Sequence, residues 1–307
     1  MFNLYVIGCG GIGGYVLDLL PQVMACLWVD NMNEGNRAVL LQTEGLSDDV
    51  HQSLFGKLVL IDGDSFSGHN ALRQTATRGS KLAVQMQKIR EKDAWTTWLN
   101  DVKLEGFDTY IKPSNMPSIF DFKFTQHWNY HRQIPIVFLC VDNHKTRYEV
   151  SKYLEEHMEH GLLINGGNER TTGNVTIYQK YWGTPQDPPL YKIYPEVNSN
   201  ADKRPDEVAC GTVAVNNDQT ALINQMIASV MLNMFRKYIV AEGDDSAFSQ
   251  RLRQKGASGE ALYTRKNEVI IDLETNTMMT LAHKVDLDNR RKQTQVAEGA
   301  PEDAKLI

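Results

Sequence analysis

Three stretches of the chain are apolar almost without interruption: NLYVIG at 3–8, KLVLID at 57–62 and IPIVFLCVD at 134–142. Runs this short, with no polar residue at every second position, predict strands buried on both faces. Elsewhere the apolar positions take helical spacing. IGGYVLDLLPQVM predicts a helix directly after the first strand, and Leu82, Met86 and Ile89 share one face of a second. RYEVSKYLEEHM predicts a third, followed by a strand at GLLINGG. Alternating strands and helices predict an α/β fold, a doubly wound, mostly parallel Rossmann-like sheet. In such sheets ligands gather beyond the carboxyl ends of the strands.

Three segments break the rhythm. Residues 21–56 form a long insertion with a possible extra strand at CLWVD. Residues 183–209 hold much of the proline and read as a long crossover loop, a length that points to function. A long apolar helix spans 221–240, with Leu222, Met226 and Val230 on one face as core or dimer packing. The division predicted is a main domain at 1–242, a small extension at 243–285 with a hairpin at EVIIDLETNTMMTL, and a charged, disordered tail at 286–307.

Composition narrows the function classes. Lys and Arg number 32 against 38 Asp and Glu, a net charge of −6 that argues against a nucleic-acid binder. No apolar run approaches the roughly 20 residues of a membrane helix, and no basic segment precedes Asn3 to suggest a signal peptide. Cys9, Cys26, Cys140 and Cys210 form no CxxC pair, so neither structural zinc nor a disulfide framework is expected, and a reducing cytoplasm is. His127, His131, His157 and His160 have no matched ligand spacing and read as surface residues.

The chemistry begins at YVIGCGGIGGYVLDLL. Gly8, Gly10 and Gly13 meet the G-x-G-x-x-G pattern between a strand and a helix, where backbone can approach phosphate and the helix N-terminus offers free N–H groups. NAD and ATP both fit such a turn. Asp30 lies near the spacing of about 20 residues at which a dinucleotide site holds its ribose. Asp62 lies further on but opens DGDSFSGHNALRQ, which packs carboxylates, an asparagine and an arginine into one loop. That set suits a triphosphate and its ribose better than a nicotinamide.

GCGGIGG, DGDSFSGHNALRQ, the lysine of RGSK and VDNHKTR occur together in an order that resembles the adenylating domain of ubiquitin-activating enzymes. The chain is similar to the ThiF, MoeB and HesA proteins of that superfamily. Through INGGNERTTGNVTIY and CGTVAVNNDQTALINQMIASVMLNMF it looks especially like ThiF-related proteins of PRTRC cassettes. The resemblance implies ATP and Mg2+ as cofactors. Gly8, Gly10, Gly11 and Gly13 would line the phosphates. Asp62 would hold the ribose, with Asp64 supporting its loop. Asn70, Arg73 and Gln74 would face the phosphates, Lys81 would add a second cation, and Asp142 would hold magnesium, although an N-cap is the ordinary use of an acid there. Cys210 would capture an activated acyl group as a thioester. The implied substrate is the C-terminal carboxylate of a small ubiquitin-like (β-grasp) protein ending in glycine, with 183–209 over its tail, and the implied assembly is a homodimer.

The match departs from the family in two places. Arg73 and Lys81 lie closer together than usual, leaving Lys88 or Arg78 as substitutes. An arginine that many relatives supply across a dimer has no counterpart ahead of Asn3. Two alternatives therefore stand beside adenylation: an inactive scaffold that binds a partner protein, and an NAD-dependent oxidoreductase using Asp30.

Overall fold

The computed structural model describes residues 1–32, 54–66, 78–120, 122, 133–181, 183–198, 202–204, 207, 220–243 and 266–283. Strand β1 (Phe2–Ile7) leads into helix α1 (Gly11–Met32), followed by β2 (Phe55–Ile61) and the short hairpin β3 (Ser65–Phe66) and β4 (Gly79–Ser80). Then come α2 (Lys81–Arg90), α3 (Asp93–Trp98), β5 (Lys103–Phe107), α4 (Met116–Ile119), β6 (Ile134–Leu139) and α5 (His144–His157). Strands β7 (Gly161–Asn168), β8 (Thr172–Tyr181) and β9 (Thr184–Pro185) precede α6 (Leu190–Ile193) and a 3-10 turn at Pro195–Asn198. Helix α7 (Ala221–Gly243) and the hairpin β10 (Glu268–Asp272) and β11 (Thr277–Leu281) complete the described chain.

The fold is a mixed α/β structure around a mostly parallel sheet of order β11-β10-β8-β7-β6-β1-β2-β5. Strands β5, β2, β1, β6 and β7 run parallel, and β8, β10 and β11 continue antiparallel. Alternation of buried side chains explains the unbroken apolar runs. Leu4, Val6, Leu58, Leu60, Ile136 and Phe138 face α1 and α7. Tyr5, Ile7, Val59, Ile61, Val137 and Leu139 face α5 and α4 on the other side. With helices on both faces, neither parity of the strands can be polar.

Helix α1 corrects two expectations. CLWVD is its last turns and not a strand, because Val16, Leu17, Leu20, Met24 and Leu27 keep helical spacing into the core straight past Pro21. An interior proline costs about 3 kcal/mol, and each of those buried side chains returns roughly 1.5–3 kcal/mol. The window Gly11–Asp30 is also long and apolar enough to cross a bilayer, contrary to the sequence expectation, yet more than half of it is buried inside the protein as a core helix. On α7 the residues in the core are Ile223, Ile227, Met231 and Phe235, so Leu222, at 57% exposure, faces outward. His160 is buried at 6% exposure with its ring beside Tyr181, another departure from the surface reading.

Candidate functional site

From β1 the chain runs to β2 and β5 on one side, then returns through β6 to the other side of β1. The crevice at the carboxyl ends of β1 and β6 is therefore the topological switch point, where such sheets bind ligands. Gly8 turns the chain there with φ +86°, and Gly13 packs so tightly that an added Cβ would stand 1.8 Å from the Gly8 carbonyl oxygen. Gly14 N is bonded to Gly10 O at 2.8 Å. The amides of Gly11, Ile12 and Gly13 thus lie ahead of the intrahelical ladder. No acid occupies the first turn of α1, which leaves its positive end unneutralised from within the helix.

Asp62 leaves β2 directly beside that turn. Its Oδ2 accepts from Cys9 N at 2.6 Å and its Oδ1 from Asp64 N at 2.8 Å. Burial is the main force pushing its carboxyl pKa up; Lys81 and the two amides pull the other way, and Asp64 adds to the rise. Asp64 accepts from Ser65 N at 2.8 Å and pairs with Lys81 Nζ at 2.5 Å. The β3–β4 pairing joins Phe66 to Gly79, so the two stems of the loop that carries Asn70, Arg73 and Gln74 meet next to Asp62. Those three residues, like Cys210, lie outside the described residues. Lys88, a proposed substitute for Lys81, approaches Asp18 of α1 at 4.0 Å, and Arg78 is exposed at the hairpin.

Asp142 follows β6 and is exposed. The N-cap role that could have consumed it belongs to Asn143, whose Oδ1 accepts from Thr146 N at 2.8 Å. Asp30 sits about 28 Å along α1 from the glycine turn at 1.5 Å per residue, so it cannot hold a ribose there. That removes the acid on which the oxidoreductase alternative relied. Among the described residues no three His, Cys, Asp or Glu side chains converge on a common point. Burial raises the Cys9 thiol well above its usual value, helped by Asp62 and Cys140, and pushes Cys140 up to about 12. Both thiols stay protonated and act as small apolar groups.

Four supporting residues were not singled out by sequence reasoning. Gln85, fully buried, donates from Nε2 to Cys9 O at 3.3 Å and steadies the turn from α2. Asn224 of α7 lies against Gly11 and accepts from Asn168 Nδ2 at 2.6 Å. Arg147 donates to the carbonyl oxygens of Val141 and Gly166. Gln85 is a polar residue on an otherwise apolar helix face, between Leu82 and Ile89, while Arg147, Asn168 and Asn224 lie inside the motifs VDNHKTR, INGGNERTTGNVTIY and CGTVAVNNDQTALINQMIASVMLNMF without a role having been given to them.

The crossover is fastened in two places. Tyr191 and Lys192 bond to Glu155 of α5, while Tyr194 donates to buried Glu268 and Asp187 accepts from Asn267 at 3.0 Å. Further on, Asp202 Oδ2 accepts from His144 N at 2.5 Å, Arg204 pairs with Glu149 at 2.8 Å and Lys145 with Glu207 at 2.6 Å. The second fastening places the crossover on the first turns of α5, next to Asp142.

The fold is shared with solved structures of low identity. E. coli MccB with succinimide gives a TM-score of 0.52 at 14% identity, over 92% of this chain and 65% of MccB. PaaA gives 0.51 at 13% identity, over 92% of this chain and 73% of that one. MccB with AMPCPP and MccA gives 0.51 at 15% identity, over 92% and 65%. This chain thus spans less than two thirds of the length of MccB, and the likeness bears on the fold alone. No curated protein matches the sequence. The ThiF family model matches residues 38–267, which take in Asp62, Lys81 and Asp142 although not the glycine turn ahead of them, and the chain belongs to the ThiF family.

Proposed function

We propose that this protein catalyses ATP- and Mg2+-dependent adenylation of a carboxylate, that of the terminal glycine of a small ubiquitin-like protein. One observation carries the reading: the amides opening α1, Asp62 bonded to Cys9 N just past β2, and Asp142 just past β6 all follow the carboxyl ends of neighbouring parallel strands at the switch point. Helix amides suit phosphate oxygens. Asp62 keeps lone pairs for ribose hydroxyls after accepting two amides. Lys81 would exchange Asp64 for phosphate, beside Arg73, Asn70 and Gln74. For magnesium, one hard carboxylate plus phosphate oxygens is the usual donor set, and Asp142 fits it.

Magnesium, when bound, would lower the repulsion between the phosphates and an incoming anion. A carboxylate oxygen bonds to the α-phosphorus, the bridge to the β-phosphate breaks, and pyrophosphate leaves. No proton moves, so no general base is needed. The family assignment supports adenylation. MccB has been crystallised with ATP and with AMPCPP and MccA, which supports a nucleotide and a second substrate here. Cys210 is the proposed acyl acceptor, a homodimer the proposed assembly, and the cytoplasm the proposed compartment. The PRTRC-type ThiF-related proteins remain the proposed subgroup.

Pyrophosphate exchange into ATP, measured with a candidate small protein ending in glycine, tests the reading. Exchange that vanishes in Asp142→Ala supports it. The pairing of Lys81 with Asp64 favours a second reading, a scaffold that binds its partner without turnover. ATP and partner binding with no exchange would establish that one.

A further inference from the structure

We infer that Arg147 is a positioning residue for Asp142 and so governs how the site takes up a divalent cation, an inference that rests on the adenylation reading above. Strands β6 and β7 pair only as far as Leu139 and Asn165. Beyond that point β6 leans toward β1, with Cys140 N donating to Ile7 O at 2.8 Å, while β7 continues against β8 as far as Asn168. A wedge opens between the two strands, and Arg147 fills it.

From the first turns of α5, its Nε and Nη2 donate to Val141 O at 3.2 and 2.7 Å, and Nη2 reaches Gly166 O at 3.1 Å. Nη1 lies beside Gly167, where an added Cβ would stand 2.6 Å away. Val141 O belongs to the peptide group that leads into Asp142. Holding that oxygen fixes the peptide plane on one side of Asp142, and Asn143, tied to Thr146, fixes it on the other. The acid is thus suspended between two anchors drawn from one helix end.

Nη2 alone bridges the two carbonyls, and Nε adds a second bond to Val141 O that fixes the peptide plane; a lysine ammonium could keep the bridge but not that second, forked contact. Burial lowers the Arg147 pKa from the usual arginine value, while Asp142, Cys140 and Asp202 act to raise it. Residues that orient a metal-binding carboxylate without touching the metal typically set about 10- to 100-fold in metal affinity.

The test uses the full chain with AMPCPP and Mn2+, the free ion being followed by electron paramagnetic resonance. Arg147→Gln is expected to weaken Mn2+ uptake by the nucleotide complex roughly tenfold, with AMPCPP binding in the absence of divalent ions unchanged. Arg147→Lys is expected to recover part of the loss, and adding Arg147→Gln to Asp142→Asn to weaken uptake no further. Val150→Ala, buried on the same helix but away from the site, is expected to lower stability and leave Mn2+ uptake alone. Equal loss of metal-free nucleotide binding, unchanged Mn2+ uptake, or additive losses in the double variant would each overturn the inference. A wild-type chain that does not bind AMPCPP at all would overturn the adenylation reading, and this inference with it.

Discussion

Asp62 holds its position beside the glycine turn at a cost that pH reveals. Its folded pKa lies above that of the unfolded chain, mainly through burial. Such a group favours the folded state at pH below the unfolded carboxylate value, and that contribution is lost as pH rises through the folded pKa. Asp62→Asn carries no charge to bury. The melting temperature of the variant relative to wild type is therefore expected to climb as pH is taken from 4 to 7, in calorimetry without nucleotide; a flat difference would contradict the burial argument. Gly13 gives a sharper case. With Gly8 O standing 1.8 Å from an added Cβ, Gly13→Ala is expected to cost roughly 2–4 kcal/mol in urea unfolding, and a cost within 0.5 kcal/mol would show that the close approach relaxes. Gly8, Gly13 and Asp62 were legible because glycine spacing and an acid at a strand end are visible locally. The roles of Gln85 and of Arg147, the last residue of VDNHKTR, were not, since each acts on a main-chain oxygen whose location only the folded chain defines.

At the scale of elements, the mostly parallel sheet flanked by helices followed from the alternation of strands and helices, while the full length of α1 did not. The predicted helix IGGYVLDLLPQVM already runs past Pro21, but CLWVD reads as β-rich, and the stripe of Val16, Leu20, Met24 and Leu27 outweighs that once a sheet is there to receive it. The crossover shows the same limit, for length alone could not tell an anchored segment from a loose one. Its second fastening is polar throughout: Asp202 on the first amide of α5, the Arg204–Glu149 fork and the Lys145–Glu207 pair. The Arg204–Glu149 pair is the least exposed, at 12% and 14%, and should outlast the others in salt. Asp202→Ala removes the acceptor of the His144 amide, so that amide is expected to exchange with deuterium faster, by about tenfold. Exchange at the wild-type rate would mean that the fastening is not a persistent contact. Arg204→Gln is expected to make exchange at His144 salt-dependent in a way that wild type is not.

At the scale of the whole molecule, the described residues leave a few apolar side chains exposed on two neighbouring helices. Helices α1 and α7 cover the same side of the sheet, and each buries one stripe there. Their outward sides expose Leu19 and Val29 on α1 and Leu222 and Val240 on α7, at 39–57%. Leu222 and Val240 stand near opposite ends of α7, about 27 Å apart at 1.5 Å per residue, with the exposed polar side chains of Gln225, Ser229, Asn233, Arg236 and Lys237 between them. Apolar residues scattered singly on a surface need no explanation by themselves, so this face matters only as the one on which the proposed homodimer can be tested. A stable dimer needs about 800 Å² from each partner, which two helices of this length can supply. Because the N-terminus of α7 brings Asn224 against Gly11, a second copy seated on this face would press on the glycine turn from behind. Val240→Glu, more than four turns from Asn224 at about 3.6 residues per turn, should then convert the proposed dimer to a monomer in sedimentation velocity at micromolar concentration while leaving the melting profile of the monomer intact. It should also lower pyrophosphate exchange in proportion to the monomer formed, since the turn loses its backing. A wild-type chain that sediments as a monomer at tens of micromolar, or a monomeric variant with undiminished exchange, would show that this face serves something other than a second copy.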